Sequence, residues 1–163
     1  MIEVGQTYIE DHASTRVLLV QRKLPHYRNS IFNGLGNLPE IQLTLAIFND
    51  PEVIEPCSFD IERLESKKTC GLWMAAGLKK LAVKFDAIII PFDLHEVGCL
   101  KMLLDSTLAK KTILFGHSHG SRNNLRFLRR ILINRASAVV LYTENGRKRI
   151  LAEGVDSEKL FVA

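Results

Sequence analysis

Two short stretches hold residue types at spacings that suit chemistry. Asp93-Leu94-His95 sets a carboxylate and an imidazole two residues apart. Gly116-His117-Ser118-His119-Gly120 sets two imidazoles around a hydroxyl, between glycines. An imidazole titrates near neutrality, so it can pass a proton, hydrogen-bond a ligand or hold a metal. Asp93, His95, His117 and His119 together have the donor types of a metal centre, where bound metal activates water against a phosphate ester. Without a metal, Gly116 and Gly120 permit a tight turn and Ser118 or Ser121 caps the next helix. The imidazoles then project as hydrogen-bond donors to a sugar or phosphate. The Gly-x-Ser-x-Gly wording suggests a serine nucleophile, but no His follows His119 and Asp156 is the only later Asp, so a hydrolase triad has no partners.

A third stretch is Arg22-Lys23-Leu24-Pro25-His26-Tyr27-Arg28. It lacks the Gly-x-Gly-x-x-Gly pattern that lets a pyrophosphate approach the backbone. It does open a helix, whose free N–H groups stand beside His26, Tyr27 and Arg28 as an acceptor or anion contact. The cysteines, Cys57, Cys70 and Cys99, have no such partners, and their scatter suits free thiols in a reducing cytosol.

The positive charge is concentrated. The net charge is +4, yet residues 121–149 hold eight Arg or Lys against the single acid Glu144. At 100° per residue, Arg122, Arg126, Arg129 and Arg130 share one arc of a helix, opposite Leu125, Leu128, Ile131 and Leu132. Lys79, Lys80 and Lys84 mark a second basic helix. Such surfaces suit anionic lipid, nucleic acid or a phosphorylated ligand. No RNP, GxxG or zinc pattern is present and aromatic residues are only 7%, so nucleic acid is not the expected partner.

The elements that must position these residues alternate. Apolar strands are predicted at 16–21, 41–48, 86–91, 111–116, 137–142 and 160–163, and helices at 27–38, 72–85, 97–108, 122–135 and 144–153. Residues 59–64 fit an extra strand or hairpin. Continuous apolar strands belong to parallel sheets covered on both faces. The expected fold is therefore α/β: a Rossmann-like, doubly wound, mainly parallel sheet in three layers, one domain over residues 1–163. Ligands of such sheets bind at the carboxyl ends of the strands, where all three stretches fall. The 163 residues are 47% hydrophobic and 25% charged, which excludes a disordered or fibrous chain. The apolar runs are too short for a membrane span, and no signal peptide is recognisable.

Two family resemblances follow from these words. Asp-x-His and Gly-His-Ser-His-Gly are similar to the first and last motifs of calcineurin-like metallophosphoesterases. The family's intervening GD and GNH(D/E) motifs are absent, and the short interval between the two leaves no room for them. The wider resemblance covers residues 16–163. It rests on Val17-Leu-Leu-Val20, Pro25-His-Tyr-Arg28, Ile31-Phe-Asn33 and Leu35; on Phe85-Asp-Ala-Ile-Ile-Ile-Pro91; on Ile113-Leu-Phe-Gly-His-Ser-His-Gly120; and on Ala136-Ser-Ala-Val-Val-Leu-Tyr-Thr-Glu-Asn145 with Gly154-Val-Asp156 and Lys159-Leu-Phe-Val-Ala163. In this order the segments resemble the N-terminal half of retaining glycosyltransferases of family 4, the two-Rossmann-domain GT-B type.

That resemblance implies an acceptor-binding domain whose partner is a C-terminal donor-binding domain. The nucleotide-sugar donor and a Glu-x7-Glu element belong to that second domain, so this half is expected to be inactive alone. His117 or His119 takes the place of the cleft histidine that touches the donor sugar. Pro25, His26, Tyr27, Arg28, Asp93, His95, Gly116, Ser118, Gly120 and Glu144 are implied around the acceptor. The family uses no metal and no other cofactor. Its acceptors are glycans or polyprenol-linked sugars, which implies a cytoplasmic protein docked peripherally at the inner membrane face through the basic stripes. The alternative is a stand-alone binding module whose basic helix docks on anionic lipid or nucleic acid.

Overall fold

The computed structural model describes residues 14–24, 26–48, 57–117 and 126–163. Seven strands form one sheet: β1 (Thr15–Gln21), β2 (Ile41–Phe48), β3 (Asp60–Leu64), β6 (Ala87–Pro91), β7 (Thr112–Gly116), β8 (Ala138–Leu141) and β9 (Leu160–Val162). Their order is β3-β2-β1-β6-β7-β8-β9, and every neighbouring pair is parallel. The fold is the expected doubly wound, Rossmann-like α/β sheet. Two further strands, β4 (Ser66–Thr69) and β5 (Leu72–Ala75), form a separate antiparallel hairpin.

The side-chain alternation of the strands sorts the core into two layers. Val17, Leu19, Leu43, Leu45 and Ile47 pack with Phe32 of helix α1 (His26–Gly36) on one face. Leu18, Val20, Ile88, Ile90, Leu114, Val139 and Leu141 face the other way. There they meet α2 (Leu78–Ala82), α3 (Val97–Leu104), α4 (Ser106–Ala109), α5 (Arg126–Arg135) and α6 (Glu144–Ala152). From β1 the chain winds outward to β2 and β3, then crosses back to β6 and winds the other way. The order thus reverses between β1 and β6, which opens a crevice beyond their carboxyl ends.

Three sequence expectations need correction. The helix expected over 72–85 is a strand followed by a five-residue helix. Trp73 and Met74 pair with Lys68 and Lys67, and Gly77, in the left-handed region at φ 75°, ends the hairpin before Leu78. Cross-strand pairing outweighs the helical spacing there. The helix over 97–108 is two helices, because the Asp105 carboxylate caps a fresh start by accepting from the N–H groups of Thr107 and Leu108. The arginine stripe is also misjudged. On α5, Leu132 and Ile133 are buried while Phe127, Leu128 and Ile131 are exposed, and Arg129 turns inward over the Phe92 ring, 5.1 Å away. Residues 59–64 resolve in favour of a strand, β3 at the sheet edge, with the hairpin following it.

Candidate functional site

The strongest cluster lies at the carboxyl ends of β1, β7 and β8. Arg28 stands in the first turn of α1 and reaches back across the sheet. Its Nη1 donates to Gln21 Oε1 and its Nη2 to the Tyr142 hydroxyl, both at 2.7 Å. The guanidinium lies 5.6 Å from the Tyr27 ring and 5.9 Å from the rings of Phe115 and Tyr142. Both bonded oxygens are neutral, and no carboxylate pairs with Arg28 among the described residues. Five N–H donors on the guanidinium leave three unused by these bonds. A half-buried cation among aromatic rings, with spare donors and no carboxylate partner among the described residues, has the chemistry to receive an anion.

His117 stands beside it. Its ring lies 4.4 Å from that of Tyr142, which in turn makes an edge contact with Phe115 at 4.9 Å. Gly116 ends β7 with φ 153°, a conformation L side chains rarely adopt, although space for a Cβ exists against Phe92 at 3.6 Å. Backbone shape, and not crowding, calls for glycine where the chain turns toward His117.

A second group occupies the ends of β1 and β6. Asp93 Oδ1 accepts from the backbone N–H of His95 and bonds its Nδ1 at 2.8 Å, which orients the exposed imidazole with Nε2 outward. Glu96 is buried, and Arg22 pairs with it at 3.4 Å. Burial pushes the Glu96 carboxyl above its ordinary value, while the Arg22 charge pulls the other way. Burial likewise raises the Cys99 thiol, which makes it inert, whereas Cys70 is exposed.

The structure therefore joins some of the expected residues and separates others. Tyr27, Arg28, Gly116 and His117 share the first cluster, where His26 is exposed at the start of α1. Asp93 and His95 bond one another. Among the described residues no three of His, Cys, Asp and Glu converge as a metal centre needs, so the four-ligand reading of Asp93, His95, His117 and His119 gains no geometry. Glu144 pairs instead with Arg147 at 3.2 Å in the first turn of α6. Pro25, Ser118, His119, Gly120 and Arg122 lie outside the described residues, and of Arg126 only the helical backbone is described. Lys79 is held by Asp105 at 2.8 Å, while Lys80, Lys84 and Arg130 are exposed. Sequence reasoning missed Gln21 and Tyr142, although both stand at strand ends where it directed the search.

Neither a protein-family model nor a curated protein sequence matches the chain. Solved structures do match. Anabaena Alr3699/HepE in complex with UDP-glucose superposes with a TM-score of 0.62 at 17% identity, over 91% of this chain and 43% of that one. Its complex with UDP and glucose gives 0.60 at 16% identity, and that with UDP gives 0.57 at 16% identity, over the same shares. The likeness is one of fold. This chain spans less than half the length of the Anabaena protein.

Proposed function

We propose that this chain is the acceptor-side domain of a glycosyltransferase of the two-Rossmann-domain type. The full enzyme would move a sugar from a nucleotide donor to a glycan or polyprenol-linked acceptor, in the retaining manner of family 4. The donor nucleotide would be held mainly by a second domain, so this half alone would not turn over. The observation that carries the reading is Arg28: a cation with no carboxylate partner among the described residues, at the carboxyl ends of the strands. The fold likeness to a protein solved with UDP-glucose supports it.

The chemistry follows from charge. Transfer breaks the bond between the sugar C1 and a diphosphate oxygen and forms one from C1 to the acceptor oxygen, whose hydroxyl proton goes to the departing diphosphate. In the transition state negative charge grows on that phosphate. A guanidinium already in position, in a cleft lined by rings, stabilises that charge without reorganisation. His117, steadied by Tyr142, would hydrogen-bond the sugar being transferred; His119, two residues on in the sequence, keeps the same assignment from the sequence alone. His95, oriented by Asp93, would meet the acceptor hydroxyl. His26 and Tyr27 would line the mouth. The test is transfer from UDP-glucose by the complete gene product. Arg28→Ala and His117→Ala are each expected to lower the rate by about 100-fold, with circular dichroism unchanged. Wild-type rates in both variants would remove the assignment.

We propose also that the enzyme attaches peripherally to the inner membrane face. Lys80 of α2, Lys84 just after it and Arg130 of α5 supply exposed cations, and Phe127, 77% exposed, supplies an apolar contact. Vesicle sedimentation with anionic lipid should fall when Lys84→Glu and Arg130→Glu are combined. Unchanged sedimentation would leave these residues as an ordinary solvated surface.

A further inference from the structure

The single tryptophan of the chain belongs to neither apolar cluster. Trp73 sits on the hairpin β4–β5, directly across from Lys68, so both side chains share one face of the hairpin. The Lys68 ammonium lies 5.5 Å from the centroid of the indole and the Arg22 guanidinium 5.4 Å. Arg22 is partly compensated by Glu96, which is 4% exposed. Lys68 has no carboxylate partner among the described residues. Lys23 and Lys67, next to them in the chain, are exposed.

The hairpin is held firmly in this place. The backbone N–H of Trp73 donates to the His95 carbonyl at 2.7 Å, and that of Ala76 to the Glu65 carbonyl at 2.9 Å. Ala75 lies so close to α3 that a Cβ on Gly98 would come within 2.8 Å of its backbone nitrogen. The indole is thereby fixed beyond the end of β6, beside the residue that follows β1. That is the crevice where the strand order reverses. A large aromatic placed there, half-exposed and flanked by two cations, contributes little to the core and much to a surface.

We propose that the β4–β5 hairpin carries a subsite for an anionic sugar, with Trp73 as the platform for the sugar ring and Lys68 and Arg22 as the cations for its carboxylate or phosphate. The proposal rests on the acceptor-side reading above and names the chemical class of the acceptor. The apolar C–H face of a pyranose suits an indole, which is broad, rigid and amphipathic. A cation over a half-exposed ring is held more weakly than one hydrogen-bonded to an anion. An arriving anion therefore draws Lys68 off the indole and frees the ring for the sugar. Glu96 keeps Arg22 in position and leaves Lys68 as the charge to be met. A neutral sugar offers Lys68 nothing.

Because Trp73 is the only tryptophan, its fluorescence reports on this place alone. The chain is titrated with glucuronic acid, glucose 1-phosphate, glucose and inorganic phosphate. A saturable change is expected with one or both anionic sugars, at least tenfold weaker with glucose and with inorganic phosphate. Lys68→Gln, an exposed substitution, is expected to weaken the response at least tenfold. The stronger of the two anionic sugars tells a carboxylate from a phosphate acceptor. Equal binding of glucose, equal binding of inorganic phosphate, or no saturable response in the folded chain would overturn the proposal. The transferase reading is judged separately, through Arg28 and His117. A Trp73 response without any transfer activity leaves the subsite and removes the enzyme, and the converse result does the reverse.

Discussion

Two arginines serve the carboxyl end of the same strand in opposite ways. Arg22 follows the last residue of β1, and Arg28 donates to that residue's side chain. Arg28 makes two short bonds of 2.7 Å, yet both acceptors are neutral. Arg22 makes one longer contact of 3.4 Å, yet its partner is a buried carboxylate. Counting hydrogen bonds would rank Arg28 as the better satisfied. Counting charge reverses the order, because a guanidinium bonded to amide and hydroxyl oxygens keeps its full field. On the proposed reading Arg28 is the cation left for a ligand's phosphate, whereas Arg22 is half spent on Glu96. The Lys68 ammonium beside it restores the deficit on that side of the crevice.

On the proposed transferase reading, kinetics of the complete gene product should divide the two most sharply. Arg28→Met is expected to lower kcat by about 100-fold, because on that reading its charge would act where the leaving phosphate develops charge. Arg22→Met is expected to act mainly on KM for an anionic acceptor, raising it by roughly tenfold, the loss of one charge-assisted contact. Equal effects of both on the same constant would break the distinction.

Stability should divide them in the opposite sense. Arg22→Met leaves the buried Glu96 carboxylate without its cation, at a cost of about 2 kcal/mol at neutral pH. Arg28→Met removes two bonds to neutral groups and costs about 1 kcal/mol. The pH dependence carries the sign. Glu96 is raised above its unfolded value of 4.5 by burial, so the folded state holds the proton more tightly. Its contribution is complete below that value and is lost as pH rises through the folded one. Removing Arg22 takes away an opposing pull, so the loss on going from pH 4 to 7 should grow. Urea titrations at both pH values measure it, and Arg22→Met combined with Glu96→Gln should flatten it again.

Much of this was legible in the sequence, and the reasons differ by residue. The parallel strands were readable because each is a short apolar run between breakers, and six of the seven sheet strands fall within a residue or two of expectation. Arg28, Gly116 and His117 were readable as strand-end residues once those strands were placed. Trp73 was hidden because Leu72, Leu78, Leu81 and Phe85 invite a helix, while the hairpin is fixed by contacts to His95 and Gly98, distant in sequence. Gln21 and Tyr142 were hidden for a related reason. Their value lies in meeting one guanidinium from positions 7 and 114 residues away from it. The inward turn of Arg129 goes with Phe92 just past the end of β6, which no helical wheel contains.

Gly98 offers a way to disturb one side of the crevice and not the other. Gly98→Ala drives a methyl against the Ala75 backbone at 2.8 Å, so the hairpin must shift. Overpacking of this kind costs about 1 kcal/mol or more. Trp73 emission should move to longer wavelength as the indole leaves Arg22 and Lys68. The Arg28 cluster uses no atom of the hairpin, so its aromatic proton shifts for Tyr142 should hold. Movement of both would mean the crevice is one coupled unit.

Arg16 and Asp86 form a third pair, at which the expected effect is small. Arg16 binds Asp86 with two guanidinium contacts, at 3.1 and 2.9 Å, and its backbone N–H adds a third at 3.0 Å. Here the bonds from Arg16 hold the carboxyl down to about 2. The sign is opposite to that of Glu96. A depressed carboxyl contributes stability that is present above its unfolded value of 3.8 and is lost as pH falls through about 2. Carbon chemical shifts of the Asp86 side chain should place its titration there, and Arg16→Gln should return it toward the ordinary range. Because the pair is exposed, the change in stability should be slight. Glu96, with a cation nearby but little solvent, is raised; Asp86, with better geometry and an exposed side chain, is lowered. If both midpoints moved alike on loss of their arginines, Arg22 would be acting on Glu96 through the same direct bonding as Arg16 on Asp86. A large shift at Asp86 beside a smaller one at Glu96 would instead assign burial the main part in holding Glu96, and leave more of the Arg22 charge free for a ligand.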